Sequence, residues 1–441
     1  MGRLFRHYGM LVVLLLLCVF FSILTIAEQD LSGADAAESV LQSLPGNVPQ
    51  GTSALVVGRP IGDDGNFVGT LARALPNHGL HVAAVLVGDP SAIRELISQM
   101  GDSLAGLGFI IAPRQLAPVI RTLQAETPAL MEARVITPQS RRAPTFLLPD
   151  NLRNVANQIA VIAIIAIGMT MVIITGGIDL SVGSLVALSA VVTAWLIGHL
   201  GGMSATAGAM VLSCLGAIFL CASVGIFSSA MITSFRVPPF IATLAMMQVA
   251  AGIAYIIAEG KPIYQIPDRF VWLGRGAEPF LKIPYAVILM IVLYTAAHLV
   301  MSRMTLGRYI YAVGGNSEAA RLAGIGVRKV QYVVYTICAM LAGLGGVLMA
   351  SQLKSGAPTY GVSYELHVIA AVVVGGTSLS GGEGRILGTL IGALVIGVIQ
   401  NGMNLTNVES YTQKVVLGLV ILAAVLLDQL KHGRLFRRAV G

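Results

Sequence analysis

The sequence predicts an all-α polytopic membrane protein of about ten transmembrane helices, some short or broken, with a small α/β domain inserted after the first. Three observations lead there. Charged residues make up only 11% of the 441 residues and hydrophobic ones 56%, whereas a soluble domain is roughly a quarter charged. Apolar runs recur that approach the roughly 20 residues a helix needs to cross a bilayer. Segment 28–146 alone breaks this pattern, with 11 acids, eight arginines and no lysine, against 20 bases and 10 acids in the rest of the chain.

Residues 1–27 form the first element. Arg3, Arg6 and His7 lead into a near-continuous apolar run from Met10 to Ala27. A signal peptide and a first transmembrane helix both fit that plan. The end, LTIAEQD, is a poor small-x-small cleavage site and LLLLC a poor lipoprotein box, which favours an uncleaved helix.

A weakly acidic segment that follows a helix with a basic leader belongs outside the cytoplasm, so 28–146 is expected to be extracytoplasmic. Its β-branched runs SALVVG (53–58), HVAAVLVG (81–88), LGFIIAP (107–113) and ARVITP (133–138) alternate with helical patterns. Strand and helix at this spacing predict a small parallel sheet. Pro76 and Pro118 limit the helices between.

The remainder, 147–441, reads as consecutive spans near 154–175, 181–199, 206–232, 238–258, 283–301, 330–350, 364–376, 386–403 and 412–428. Ten crossings from a cytoplasmic N-terminus put Arg3/Arg6, Arg236, Arg303/Arg308, Arg321/Arg328/Lys329 and Lys431/Arg434/Arg437/Arg438 all inside, with the C-terminus. Loop 259–282 is then exterior. One span, LHVIAAVVVGG (366–376), is too short for a straight crossing. It is followed by the Gly-rich TSLSGGEGR, and such interruptions are what broken helices lining a transport site look like.

TGGIDLSVGS (175–184) has the same character. Gly176 and Gly177 break the incoming helix, and Asp179 or Ser181 can cap the next one. Alternatively Thr175, Asp179 and Ser181 face a polar cavity, since intramembrane acids usually face the bundle interior. A break at the membrane surface would leave Asp179 to water, and capping alone would explain it. Glu365 and His367 open the short span, where an acid suits the helix dipole. Gln352, Asn401 and Asn404 border other spans with neutral donors and acceptors that either carbohydrate hydroxyls or helix packing can use.

Several chemistries find no support. Cys18, Cys214, Cys221 and Cys338 all lie in apolar runs without a CxxC pair, so no metal or redox site is expected. Lysine- and arginine-rich blocks with interleaved aromatics are missing, which argues against nucleic acid. LSGGE (379–383) looks like the signature of ATP-binding-cassette ATPases, yet nothing matches the phosphate-cradling G-x-x-x-x-G-K-[ST] loop. A turn explains those glycines better, and neither a cofactor nor covalent chemistry is expected in this chain. The cytoplasmic loop LGRYIYAVGGNSEAARLAGIGVRKVQ (306–331) carries a short helix, capped by Asn316 or Ser317 and stopped by Gly324. It can lie on the lipid or dock into another protein.

GMTMVIITGGIDLSVGSLVALSA, GRYIYAVGGNSEAARLAGIGV and AAVVVGGTSLSGGEGRILGTLIGALVIGVIQNGMNL resemble the permease subunit of ribose-type ABC sugar importers, in order, over about 150–430. The resemblance implies a ten-helix inner-membrane permease that dimerises. It also implies a cytoplasmic ABC ATPase that hydrolyses ATP, and a periplasmic binding protein that delivers a monosaccharide such as a pentose or hexose. The family's docking loop maps onto Glu318, Ala319, Ala320, Arg321 and Gly324. The insert departs from that pattern. It is similar instead to the first lobe of sugar-binding proteins, with Phe67 placed at a cleft edge; a single lobe cannot close on a sugar, so weak or no binding by the insert alone is expected. The rival readings are a permease for branched-chain amino acids, an ion-coupled secondary transporter, and a receptor that senses through the insert.

Overall fold

The computed structural model describes residues 2–45, 48–49, 51–104 and 106–431. Arg434, Arg437 and Arg438 of the basic tail lie outside the described residues. The chain divides into two compact units, Met1–Thr25 with Phe146–Gly441, and Ile26–Thr145. Helix α1 (Gly2–Leu24) opens the first unit.

The second unit is an α/β sandwich. Strands β2 (Thr52–Gly58), β3 (Leu80–Val87), β4 (Leu107–Ile111) and β5 (Arg134–Ile136) form a parallel sheet in the order β3-β2-β4-β5. Alternate residues of a strand face opposite sides, and β2 is apolar on both. Ala54 and Val56 pack with Ala37, Val40, Phe67 and Leu71 of α2 (Gly33–Ser43) and α3 (Asp64–Ala74). Leu55 and Val57 pack with Ile93, Ile97, Ile120 and Leu123 of α4 (Pro90–Met100) and α5 (Ala117–Glu126). Burial on both faces accounts for the unbroken apolar run in SALVVG. Pro118 stands in the first turn of α5, where its missing N–H costs nothing.

Two features of this unit were not legible beforehand: α2, and the antiparallel pairing of β1 (Ile26–Asp30) with β6 (Ser140–Pro144), in register from Ile26↔Pro144 to Asp30↔Ser140. Phe67 corrects an expectation. It is 1% exposed, in the core between α3 and the sheet, and offers no ring to a cleft. At the C-terminal end of β2 the Asp64 carboxylate accepts from Arg59 Nε at 2.8 Å, and that hydrogen bond raises the guanidinium pKa above its ordinary value.

The rest of the first unit is helical. Its elements are α6 (Pro149–Ile174), α7 (Val182–His199), α8 (Ala207–Thr233), α9 (Pro239–Ile257), the single turn α10 (Trp272–Arg275), α11 (Tyr285–Arg303), α12 (Thr305–Gly315), α13 (Ser317–Leu322), α14 (Val327–Leu353), α15 (Tyr364–Val374), α16 (Ile386–Leu405) and α17 (Ser410–Lys431). Among the described residues seven helices are long and apolar enough to cross a membrane: α6, α7, α8, α9, α11, α14 and α16. Gly9–Leu24, Tyr364–Val374 and Ser410–Leu426 are shorter apolar helices. The protein is a polytopic, mainly helical membrane protein.

Helix α6 is the central post, apolar all round and 89% buried over its spanning window, against 28% for peripheral α9. Helices α11, α14, α15 and α16 pack around it. Tyr294 on α11 donates to the Ala163 carbonyl at 3.0 Å, and the Thr170 and Thr389 hydroxyls join α6 to α16 at 2.7 Å, polar contacts of the kind that link helices in lipid.

The irregular backbone at membrane depth lies elsewhere than TSLSGGEGR. After α14, residues 354–363 double back beside α7. A Cβ on Gly356 would lie 2.5 Å from the Ala190 carbonyl oxygen, and one on Gly361 would lie 2.4 Å from that of Gly183, so the reversal follows α7 from its middle to its first turn. Gly361 also holds a φ of +69°, which favours glycine. Helix α15 then completes the descent. TSLSGGEGR forms a tight turn at the end of the bundle, with Ser378 N–H donating to the Glu383 carbonyl at 3.0 Å and Gly381 and Gly382 at positive φ.

Candidate functional site

Three places concern the expected site residues: the break between α6 and α7, the α12–α13 corner, and a polar chamber among α6, α15, α16 and α17.

At the break, α6 ends at Ile174. The Thr175 hydroxyl donates to the Val172 carbonyl at 2.7 Å and closes the helix rather than facing a passage. Asp179 is 1% exposed. Its Oδ1 accepts from Ser181 N at 2.9 Å and Ser181 Oγ at 2.6 Å, while Tyr335 and Cys338 of α14 lie within its electrostatic reach. The capping expectation needs correction here. Ser181 precedes α7, but its hydroxyl donates to Asp179 instead of accepting from the helix, and Asp179 captures the Ser181 amide just ahead of it. Asp179 is neither solvated by a surface nor open to a cavity; it organises the turn back into α7, a local bond that short acids favour.

The other expected pathway residues scatter. Gln352 Nε2 donates to the Asn157 carbonyl at 3.2 Å, tying the end of α14 to α6. Asn401 and Asn151 exchange reciprocal side-chain bonds of 2.9 and 3.0 Å. Glu365 is half-buried at the head of α15 beside Gly183, where an added Cβ would lie 2.3 Å from its Oε2. Asn404 alone of these lines the polar chamber.

That chamber has a volume of about 170 Å³ and is lined by Gln158, Tyr364, His367, Gln400, Asn404 and Gln413, with Ile162 as its aliphatic wall. Gln400 Nε2 and His367 Nδ1 are 2.8 Å apart, and Gln413 Nε2 donates to Asn404 Oδ1 at 2.8 Å. Sequence reasoning passed over Gln158, Gln400 and Gln413. The available signal was amide side chains inside apolar spans, which is unusual enough to ask about.

At the corner, α13 is an exposed single turn and a half. Asn316 caps it, its Oδ1 accepting from Ala319 N at 3.0 Å, and Gly324 stops it with φ +82°. Ala320 is buried against the bundle, while Glu318, Ala319, Arg321 and Gly324 are exposed. Glu318 and Arg321 form an i,i+3 ion pair of 2.8 Å. Leu322, which the sequence did not single out, is 82% exposed and presents an apolar knob beside that pair.

Helix α12 meets the bundle through the Tyr311 side chain and a close backbone approach at Gly314. The Gly382 N–H donates to the Ile174 carbonyl at 2.8 Å, and Tyr311 Oη donates to the Gly384 carbonyl at 2.8 Å. Gly314 sits over the first of these bonds: a Cβ there would be 1.7 Å from the Ile174 oxygen and 2.7 Å from the Gly382 nitrogen. The end of α6, the turn after α15 and the stem of α13 thus meet at one point with no side chain between them.

Comparison with known proteins adds the family. The family model for the branched-chain amino acid transport system permease component matches residues 151–425. The ribose import permease protein RbsC of Escherichia coli K12 is 44% identical over 298 residues, 66% of this chain and 90% of that protein. The L-arabinose ABC transporter permease protein AraH of Azospirillum brasilense is 37% identical over 301 residues, 68% of this chain and 86% of its own. The D-allose transport system permease protein AlsC of Escherichia coli K12 is 36% identical over 285 residues, 65% of this chain and 85% of its own. No solved structure matches the chain significantly. The helical bundle, its exposed corner and a family model matched over more than half of the chain lead to one conclusion: the chain belongs to the family of branched-chain amino acid transport system permease components.

Proposed function

We propose that this chain is the membrane-spanning permease subunit of an ATP-binding-cassette importer that carries a monosaccharide, a ribose-like pentose or a hexose, across the cytoplasmic membrane. The relatives named for ribose, L-arabinose and D-allose transport support the sugar. The carrying observation is the corner: an exposed, capped α13 with Leu322 projecting, hung from an α12 whose Gly314 abuts both Ile174 and Gly382.

That geometry suits a lever. A partner ATPase that grips Glu318, Ala319, Arg321 and Leu322 displaces α12. At Gly314 no side chain lies between the backbones to absorb the movement, so the end of α6 and the turn between α15 and α16 move with it. Those helices wall the polar chamber, which alternates its access as they shift, as in other carriers. Neither hydrolysis nor any covalent step belongs to this chain.

In the full reading the chain crosses ten times with both termini in the cytoplasm, pairs with a second copy, and receives sugar from a periplasmic binding protein. The α/β unit is extracytoplasmic and docks or mimics that protein at the permease mouth. Replacing Glu318 with lysine tests the lever: sugar-stimulated ATP hydrolysis and uptake are expected to fall at least tenfold while the protein still inserts. Wild-type uptake by that variant would refute the docking role.

A further inference from the structure

We infer that the chamber among α6, α15, α16 and α17 is a contact site for the transported solute, and that its chemistry selects a neutral polyhydroxylated ring over a zwitterion. The inference rests on the permease reading above and assigns its substrate contacts.

The chamber lies far from the coupling corner. About 24 Å of helix, at 1.5 Å per residue, separates Gln158 from Ile174. Asn404 and Gln413 sit at the opposite ends of α16 and α17 from the TSLSGGEGR turn. A ligand there occupies the half of the bundle away from the ATPase.

Gln158 and Asn404 are exposed although they belong to apolar helices. An amide facing hydrocarbon finds no partner, so this face is not a lipid face. Among the described residues the Gln158 amide and the Tyr364 hydroxyl make no hydrogen bond. Gln413 Nε2 spends both hydrogens, on Asn404 Oδ1 and on the Val408 carbonyl, each at 2.8 Å, which leaves Gln413 Oε1 and Asn404 Nδ2 without a partner among the described residues. With Gln400 Nε2 donating to His367 Nδ1, the imidazole presents Nε2–H and Gln400 presents Oε1. The wall therefore offers both donors and acceptors, which is what hydroxyls need, since each both gives and receives. Ile162 and the Tyr364 ring supply the apolar surface that the C–H face of a sugar requires.

Among the described residues no aspartate, glutamate, lysine or arginine lines the chamber. A free amino acid brings a carboxylate and an ammonium, and both would enter without a countercharge. Charge pairing thus separates the sugars named by the relatives from the amino acids named by the family description.

The test uses the purified full chain in lipid nanodiscs. Saturation-transfer NMR is read with D-ribose, with L-arabinose and L-leucine as competitors. D-Ribose is expected to receive saturation that L-arabinose displaces and L-leucine does not. Gln400→Leu and Gln158→Leu should each weaken the apparent affinity roughly three- to tenfold, the loss of one neutral hydrogen bond. Asn401→Ala, which breaks a packing pair outside the chamber, should leave it unchanged. The ratio of 2-deoxy-D-ribose to D-ribose affinity, measured within each variant, does not depend on how much protein is folded and should move towards one. Unaltered affinity and ratio in both leucine variants, or displacement by L-leucine, would overturn the inference. Whole-cell uptake separates the two failures: sugar uptake by an importer whose chamber variants behave as wild type sinks only the chamber, whereas leucine uptake without sugar uptake sinks the proposed function as well.

Discussion

Substituting Gly314 with alanine isolates the close backbone contact at the α12–α13 corner that we propose as the lever. The new methyl would stand 1.7 Å from the Ile174 carbonyl oxygen and 2.7 Å from the Gly382 nitrogen. Both are backbone atoms, so no rotamer change relieves the clash, and α12 must withdraw by more than about 1 Å in a tightly packed interior. Overpacking of this kind costs about 1–3 kcal/mol. The Gly382–Ile174 hydrogen bond, 2.8 Å long, stretches or breaks and adds about 0.5–1.5 kcal/mol. Alanine returns up to about 1 kcal/mol through helix propensity, which leaves a net loss of about 0.5–4.5 kcal/mol confined to this joint. The variant should insert, melt a few degrees lower in detergent, and import sugar at least tenfold more slowly than ATP hydrolysis by its partner ATPase would predict. Gly315→Ala is the matched control: nothing lies within 4 Å of its added Cβ, and both readouts should be unchanged. Wild-type import and melting by Gly314→Ala would refute the lever.

Other outcomes follow from the same geometry. Leu322→Asp should leave melting within about 0.5 kcal/mol of wild type, as a surface change does, but abolish co-purification of the ATPase; intact co-purification would count against α13 as the docking surface. Asp179→Ala strands the buried Ser181 amide and hydroxyl and should destabilise the fold by about 2–4 kcal/mol in thermal melts. Asp179→Asn keeps an acceptor oxygen and should lose less than half of that; equal losses would mean that charge, not the acceptor, matters. The isolated 26–145 unit, titrated calorimetrically with pentoses and hexoses, should show no tight binding, because Phe67 is buried in its core. A saturable high-affinity isotherm would reverse that view.

Much of the architecture was legible because its signals are local. SALVVG, HVAAVLVG and LGFIIAP are strands since period and composition suffice within six to eight residues, and the long apolar runs are helices for the same reason. Asn316 and Gly324 marked α13 by capping chemistry alone. The chamber was hidden for the opposite reason. Gln158 and Gln400 are far apart in the chain, carry no motif, and meet only once α6 and α16 pack. Asp179 misled because a buried acid near a helix break fits both a passage and a turn, and only the position of Ser181 decides between them. The reversal at 354–363 carried its cue in KSGAPTYGVSY, but glycines there and in TSLSGGEGR look alike until one set is seen against α7 and the other at the end of the bundle.

The ribbon of β1 and β6 brings the first and last residues of the α/β unit side by side, Ile26 opposite Pro144. A module whose entry and exit points touch can be gained, lost or exchanged without stretching the host chain at the junction. Swapping residues 28–142 for a two-residue hairpin turn, or for an unrelated domain with adjacent ends, is thus a modest engineering step, and the same closeness offers a route by which a transporter lineage acquires an extra domain in one genetic event.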